Sequence, residues 1–267
     1  MAFDSPKPTV ARPNSSSFLE RHGTALMVIV LVSAWEALVR VFDVPQFLLP
    51  APSQVVALAV NEWDLIQTHT LSTIGSILSG YVCAVAFALF VSAFMIRYPL
   101  LERLIMPIFV GMQSVPKIAI APLILVWVGA GAGSKIMVVM SIAFFPIVIN
   151  TMAGFKEVDR GLAELFRSVA ASERQLLFKL RLPYAVPYIF AGLRIATTLA
   201  VLGAIVAEWL AASSGLGYLV LSGSFNFNTA RSFAAIIALA IIGTAFFALM
   251  SWFEQRISWR SVQIQNH

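Results

Sequence analysis

Six stretches of predominantly apolar residues, at 24–42, 70–96, 104–128, 136–155, 184–212 and 233–253, dominate this 267-residue sequence. Each approaches or exceeds the roughly 20 residues that a helix needs to cross a hydrocarbon core about 30 Å thick. Charged residues make up 12% of the chain, against about 25% in soluble domains, and are too few to cover a water-facing surface. Lipid offers backbone groups no hydrogen-bond partner, so each stretch must satisfy its own as a helix. The chain is therefore expected to be an all-α integral membrane protein of about six transmembrane helices. A polar tail at 1–23 precedes a membrane domain at 24–255, and a second tail follows at 256–267. The leader is long, and the first apolar stretch exceeds the core of a signal peptide, so the tail is expected to stay cytoplasmic.

The net charge of +5 sits in short connections between apolar stretches, which points to membrane topology and not to nucleic acid. With the N-terminus inside, the inner segments hold Lys7, Arg12, Arg21, Arg97, Arg103, Lys156, Arg160, Arg167, Arg174, Lys179, Arg181, Arg256 and Arg260. The outer side keeps only Arg40, Lys135 and Arg231, and the loop at 43–69 has no basic residue. Positive loops are retained on the cytoplasmic side, so both termini are expected there. Cys83 is the single cysteine and His22, His69 and His267 lie far apart, which leaves no disulfide framework and no metal-ligand cluster in the pattern.

Several features concern packing. Pro50, Pro52 and Ser53 read as a stop followed by an N-cap, which would start a short interfacial helix or a plain connector. Ser72, Ser76, Gly80, Ala84, Ala88 and Ser92 form a ladder of small residues that admits a neighbouring helix closely. Pro107, Pro116 and Pro122 in the third stretch and Pro146 in the fourth are expected to bend or break their helices. Glu36 and Arg40, four residues apart, are expected to pair.

The long connection at 156–183 is patterned. Leu162, Leu165, Phe166 and Val169 follow helical spacing after Asp159 in the N-cap place. Ala170 and Ala171 come next, then Ser172 with Gln175 at capping-box spacing, and Leu176, Leu177 and Leu180 on one face, with Pro183 expected to close a second helix. Two short amphipathic helices need cover, either from their own bundle or from a partner protein.

The run from Glu164 through Ala170, Ala171 and Ser172 to Leu182 and Pro183 resembles the EAA loop of binding-protein-dependent ABC importer permeases. Ala170 falls where that family has glycine, Leu180 stands for its isoleucine, and Leu165 and Phe166 depart from its two alanines. Phe47 to Ser53, Pro116 to Leu123, Trp127 to Gly129, Phe145-Pro146, Asn150 to Gly154, Gly192 to Arg194, Ala207-Glu208 and Gly215 to Gly217 are similar to the nitrate, sulfonate and taurine branch. The resemblance implies a type I (MetI-like) importer permease fold, a second permease copy, an ABC ATPase dimer and an extracytoplasmic binding protein. It implies ATP and magnesium on the ATPase, none on this chain, and a bacterial inner-membrane location. The residues it implicates in ATPase coupling are Glu164, Ala170, Ala171, Ser172, Leu182 and Pro183.

No catalytic constellation is visible. The segment from Gly129 to Lys135 lacks the adjacent Gly-Lys-Ser/Thr of a phosphate loop. Lys117 near the middle of the third stretch and Arg194 in the fifth are costly in lipid, and their charge fits a pathway for anions or, alternatively, structural ion pairs. Glu208 is a further pathway candidate, with local pairing as its simpler role. The expected cargo is a small anion such as a sulfonate, taurine or nitrate, with a pyrimidine precursor as the alternative. A secondary carrier or channel working without ATP is the rival class, and an intramembrane hydrolase a more distant one.

Overall fold

The computed structural model describes residues 18–211 and 213–262, and its elements are helices joined by turns, with no strand among the described residues. Helix α1 (Phe18–Val41) leads into α2 (Pro52–Asn61), α3 (Trp63–Met95) and α4 (Pro99–Ser114). A short 3-10 turn (Lys117–Ile120) precedes α5 (Ala121–Val128), and α6 (Ala132–Lys156) follows. Helices α7 (Arg160–Ser168) and α8 (Glu173–Leu176), a π turn (Leu177–Arg181), α9 (Leu182–Ala211), α10 (Leu216–Phe225) and α11 (Thr229–Val262) complete the chain. The tail read for 1–23 falls largely outside the described residues, and α11 runs past 255 to Val262.

Four of the predicted stretches lie in unbroken helices long and apolar enough to cross a membrane: Trp63–Met95, Ala132–Lys156, Glu173–Leu210 and Thr229–Ile257. The first stretch falls in the 24-residue α1, whose side chains from Leu26 to Leu31 are exposed as lipid contact requires. The third is not one rod. It breaks between α4 and the turn at Lys117, and the two halves meet at 95°. Val115 is extended, as a residue before proline prefers, and Pro116 withholds the backbone donor that would continue α4. Pro122 then sits in the first turn of α5, where a missing N–H costs least. Pro107 and Pro146, by contrast, lie inside α4 and α6 without ending them.

The core is the antiparallel pair α6 and α9 with α3 against both. Glycines set the approach: a Cβ on Gly154 would meet Tyr188 Cβ at 2.7 Å and Ala185 Cα at 2.8 Å. One on Gly192 would meet the Pro146 carbonyl at 3.0 Å, and one on Gly203 would meet Val139 Cα at 3.0 Å. The small-residue ladder does the same for α3, with Ser76, Gly80, Ala84, Ala88 and Ser92 all buried and Gly80 seated on Val139. Tyr81 spans the three-helix core and donates its hydroxyl to the Leu193 carbonyl at 3.0 Å. A second cluster joins Val55 of α2, Leu216 and Leu219 of α10 and Leu239 of α11.

The loop after α1 contains the expected short helix, α2, but Ser53 does not cap it. Ala51 holds that position, with its N–H bonded to Gln54 Oε1 at 3.0 Å, and Pro52 opens the first turn. Ser53 instead donates its amide and hydroxyl to the two oxygens of Glu36, at 3.0 and 2.8 Å, while Arg40 pairs with Glu36 at 2.6 Å as its spacing predicts. The Ser53 hydroxyl also accepts from Arg40 at 3.2 Å, so it is held by the Glu36–Arg40 pair and does not accept from the first turn of α2.

Candidate functional site

The connection between α6 and α9 is built from locally capped pieces. Asp159 Oδ1 accepts the Leu162 N–H at 3.0 Å and starts α7. At its other end the Ala171 N–H reaches the Phe166 carbonyl and the Ala170 N–H the Arg167 carbonyl, both at 3.0 Å, the paired bonds of a Schellman ending. Ala170 occupies the left-handed position of that motif, with φ +57°. This is the place where the resembled loop carries glycine, and the turn forms with alanine. Ser172 and Gln175 then exchange the reciprocal bonds of a capping box, at 3.3 and 2.8 Å.

Pro183 does not close the second helix. The chain passes from α8 through the π turn into α9, with the Leu182 N–H bonded five residues back to Leu177, and Leu182 and Pro183 form the first turn of the long span. The widened turn accommodates the proline ring that would press on a carbonyl in a regular helix.

The two apolar faces find different cover. Leu176 and Leu180 are buried and Leu177 is half-buried, so the second segment folds back on its own bundle. On α7, Leu162 and Phe166 are half-buried, while Leu165 is 57% exposed and Val169 71% exposed. Glu164 is exposed and lines a cleft of about 530 Å3 together with Lys156, Arg167 and Arg181. Ion pairs tie the same end of the bundle together: Lys156 with Glu102, and Arg97 with Glu173 at 3.9 Å. Arg181 adds a bond to the Ile96 carbonyl at 3.4 Å.

The candidate pathway residues are not gathered in one place. Lys117 stands at the 95° break, half-buried, with its ammonium 5.6 Å from the Phe145 ring centre and no ion pair among the described residues. Arg194 pairs with Glu254 of α11 at 3.2 Å. Glu208 is buried at the opposite end of the bundle from α7, and both its oxygens are engaged: Oε1 by the Thr73 hydroxyl and Oε2 by the Gly217 N–H, each at 2.8 Å.

Around Glu208 lies a constellation that the sequence did not announce. Thr73 also accepts the Leu216 N–H at 2.8 Å, and His69 Nδ1 accepts the Gly215 N–H at 2.8 Å. Gly215, φ +118°, leaves no space for a side chain beside the Glu208 carboxyl. Lys135, read from its position as an outer-loop cation, is 8% exposed and donates to the carbonyl and hydroxyl of Ser214, at 3.0 and 3.3 Å. Along the sequence only Glu208 and the stretch Gly215 to Gly217 stood out; apart from the adjoining Ser214, the other groups come from α3 and α6, far away in the chain.

The family model for the binding-protein-dependent transport system inner membrane component matches residues 76–259. The chain belongs to that family. It is 35% identical over 240 residues to the formylaminopyrimidine transport permease protein ThiX of Halalkalibacterium halodurans, covering 89% of this chain and 96% of that protein. It is 29% identical over 240 residues to the putative aliphatic sulfonates transport permease protein SsuC of Bacillus subtilis, covering 88% and 87%. A chain of the inward-facing MetNI methionine ABC transporter shares the fold, with TM-score 0.65, 18% identity and coverage of 74% and 98%. The chain is thus a multi-pass membrane protein, the permease subunit of an ABC importer and not an enzyme, with the fold expected of that family.

Proposed function

We propose that this permease carries a small anionic solute inward, handed over by an extracytoplasmic binding protein, along the interface of two copies of the chain. ATP and magnesium are held and used by a separate ATPase dimer, and α7 seats on it. The end of the bundle bearing α7 is the cytoplasmic one, and both termini lie on that side. The charge distribution supports this, because Arg97, Lys156, Arg167, Arg174, Lys179 and Arg181 fall in the connections at this end of the bundle.

The observation that carries the coupling role is the state of α7. It is capped at Asp159 and closed at Ala170, so it is a rigid piece, yet it presents Leu165 and Val169 outward beside the carboxylate of Glu164. A rigid apolar ridge facing water needs a hydrophobic partner surface. Ala170, Ala171 and Ser172 make the short capped turn from that ridge to α8, and α8 continues through Leu182 and Pro183 into α9, so movement of α7 is passed to a membrane span.

Lys117 supports an anionic cargo. It stands at a bend within the apolar stretch and has no carboxylate partner among the described residues, whereas Arg194 is neutralised by Glu254. A cationic group held at low dielectric attracts anions strongly. The likeness to a formylaminopyrimidine permease favours a second cargo, a neutral pyrimidine precursor.

Reconstitution of the permease with its ATPase and binding protein in liposomes tests the assignment. Leu165→Asp with Val169→Asp, and separately Glu164→Arg, are expected to lower ATP-driven uptake at least tenfold and to reduce ATPase recovered with the permease. Undiminished uptake by both variants, or uptake by the permease alone without ATPase, overturns it. Competition between ethanesulfonate and a formylaminopyrimidine for uptake separates the two cargoes.

A further inference from the structure

At the end of the bundle opposite α7, a cleft of about 380 Å3 opens between α3, the start of α6 and the turn after α9. Its walls carry the hydroxyls of Ser72, Ser76, Ser79, Ser213 and Ser214, together with Lys135. The volume lies in the range of small-ligand pockets, ~300–1,000 Å3.

Lys135 is unusual for its charge balance. It is 8% exposed and, among the described residues, makes no ion pair. An ammonium has three N–H donors, and Ser214 receives two of them through its carbonyl and hydroxyl. The neighbouring carboxylate, Glu208, feels the charge of Lys135 but is occupied by Thr73 and Gly217. Burying an ammonium is costly, and Glu208, whose oxygens are already engaged, makes no direct ion pair with it, so an arriving anion would offset part of that cost. Ser214 is also bonded to Ser72 at 3.1 Å, so the lysine, its holder and the α3 wall form one connected polar surface. No catalytic or coupling role described above uses any of these groups.

We infer that this cleft is a binding site for the oxyanion headgroup of a small solute, held by Lys135 and the surrounding serine hydroxyls. It is the external station at which cargo leaves the binding protein and enters the permease, well separated from Lys117 at the bend. The placement on the external side, and the identification of the anion as cargo, rest on the function proposed above. The anion site itself rests on the cleft and on a lysine that makes no ion pair among the described residues.

The test uses the permease–ATPase complex in lipid nanodiscs, with ethanesulfonate as the probe and ethyl methyl sulfone as its uncharged counterpart. Brief acetylation followed by mass spectrometry reads the reactivity of Lys135. Ethanesulfonate is expected to slow acetylation of Lys135 at least fivefold with saturation, at constant ionic strength, while the sulfone leaves it unchanged. Ser79→Leu, which fills the cleft without removing the lysine, is expected to abolish the protection. In liposomes, Lys135→Met is expected to raise KM for ethanesulfonate uptake at least tenfold with kcat changed less than twofold. Absence of protection, equal protection by the sulfone, or protection unchanged in Ser79→Leu overturns the site, even if Lys135→Met fails to fold. Protection in a complex that does not transport ethanesulfonate keeps the site and overturns the anionic cargo. Wild-type uptake by Lys135→Met without protection keeps that cargo and overturns the site.

Discussion

The hydroxyl of Thr73 donates to Glu208 Oε1 at 2.8 Å and simultaneously accepts the Leu216 N–H at 2.8 Å, joining α3, α9 and α10 through one side chain. Both residues are at most 1% exposed. Glu208→Ala would strand the Gly217 N–H and leave the Thr73 hydroxyl only the longer bond to the His69 carbonyl, at 3.2 Å, and an unsatisfied buried group costs about 1–3 kcal/mol. Thermal unfolding in detergent is expected to show a clear loss for Glu208→Ala and for Thr73→Val, with a smaller loss for Glu208→Gln. A double variant no worse than the more damaging single one would show that the two act as a unit.

Ala170→Gly is expected to stabilise the loop. A left-handed backbone costs a residue with a Cβ roughly 1–2 kcal/mol, and glycine removes that strain at φ +57°. Greater flexibility of the unfolded chain offsets part of the gain, so a net rise of up to ~1 kcal/mol is expected. Ala170→Val is expected to act in the opposite sense. Limited proteolysis between α7 and α8 reads both effects without depending on transport.

Glycine at 154 is a packing requirement and glycine at 111 is not. Gly154→Ala places a methyl group against Ala185 Cα, a backbone atom that cannot turn aside, and overpacking of this kind costs ~1–3 kcal/mol. Gly111→Ala meets nothing within 4 Å in this chain and gains helix propensity. The expected order of melting temperatures is Gly111→Ala at or above the parent protein, and Gly154→Ala well below it.

The pair between Glu62 and Arg231 ties the start of α3 to α11 with two short bonds, at 2.6 and 2.7 Å. The Arg231 hydrogen bonds hold the Glu62 carboxyl below its ordinary value of 4.5. A carboxyl with a lowered value in the fold contributes its stability above pH 4.5 and loses it as pH falls through the lowered value. The groups retain partial exposure, so the contribution is below about 1 kcal/mol. Glu62→Gln is expected to remove that acid-side component of the stability profile while leaving stability at pH 7 only slightly reduced; an unchanged acid limb refutes it.

Much of the architecture was readable along the chain because helix length, lipid exposure and capping are local properties. Four of the six stretches, the start of α7 at Asp159, the capping box at Ser172 and Gln175, and the Glu36–Arg40 pair all depend on residues within one or a few turns. The seam on α3 was equally plain, since small residues repeat along a single helix. Local rules failed where another element competed. Ser53 lost its expected capping role to Glu36, and Pro183 was absorbed into a continuous helix by the π turn before it.

Taken alone, the sequence determined a membrane-embedded bundle of helices, its charge asymmetry and the presence of a capped, amphipathic segment between two spans. Only the tertiary structure decided that Leu165 and Val169 stay uncovered while Leu176 and Leu180 do not, and that Arg194 is neutralised while Lys117, at a sharp bend, makes no ion pair among the described residues. It alone brought Thr73 to Glu208, 135 positions away, and Lys135 to Ser214, 79 positions away. The physical reason is that a buried polar group is satisfied by whichever donor or acceptor packing delivers to it, and periodicity within one helix carries no information about that partner.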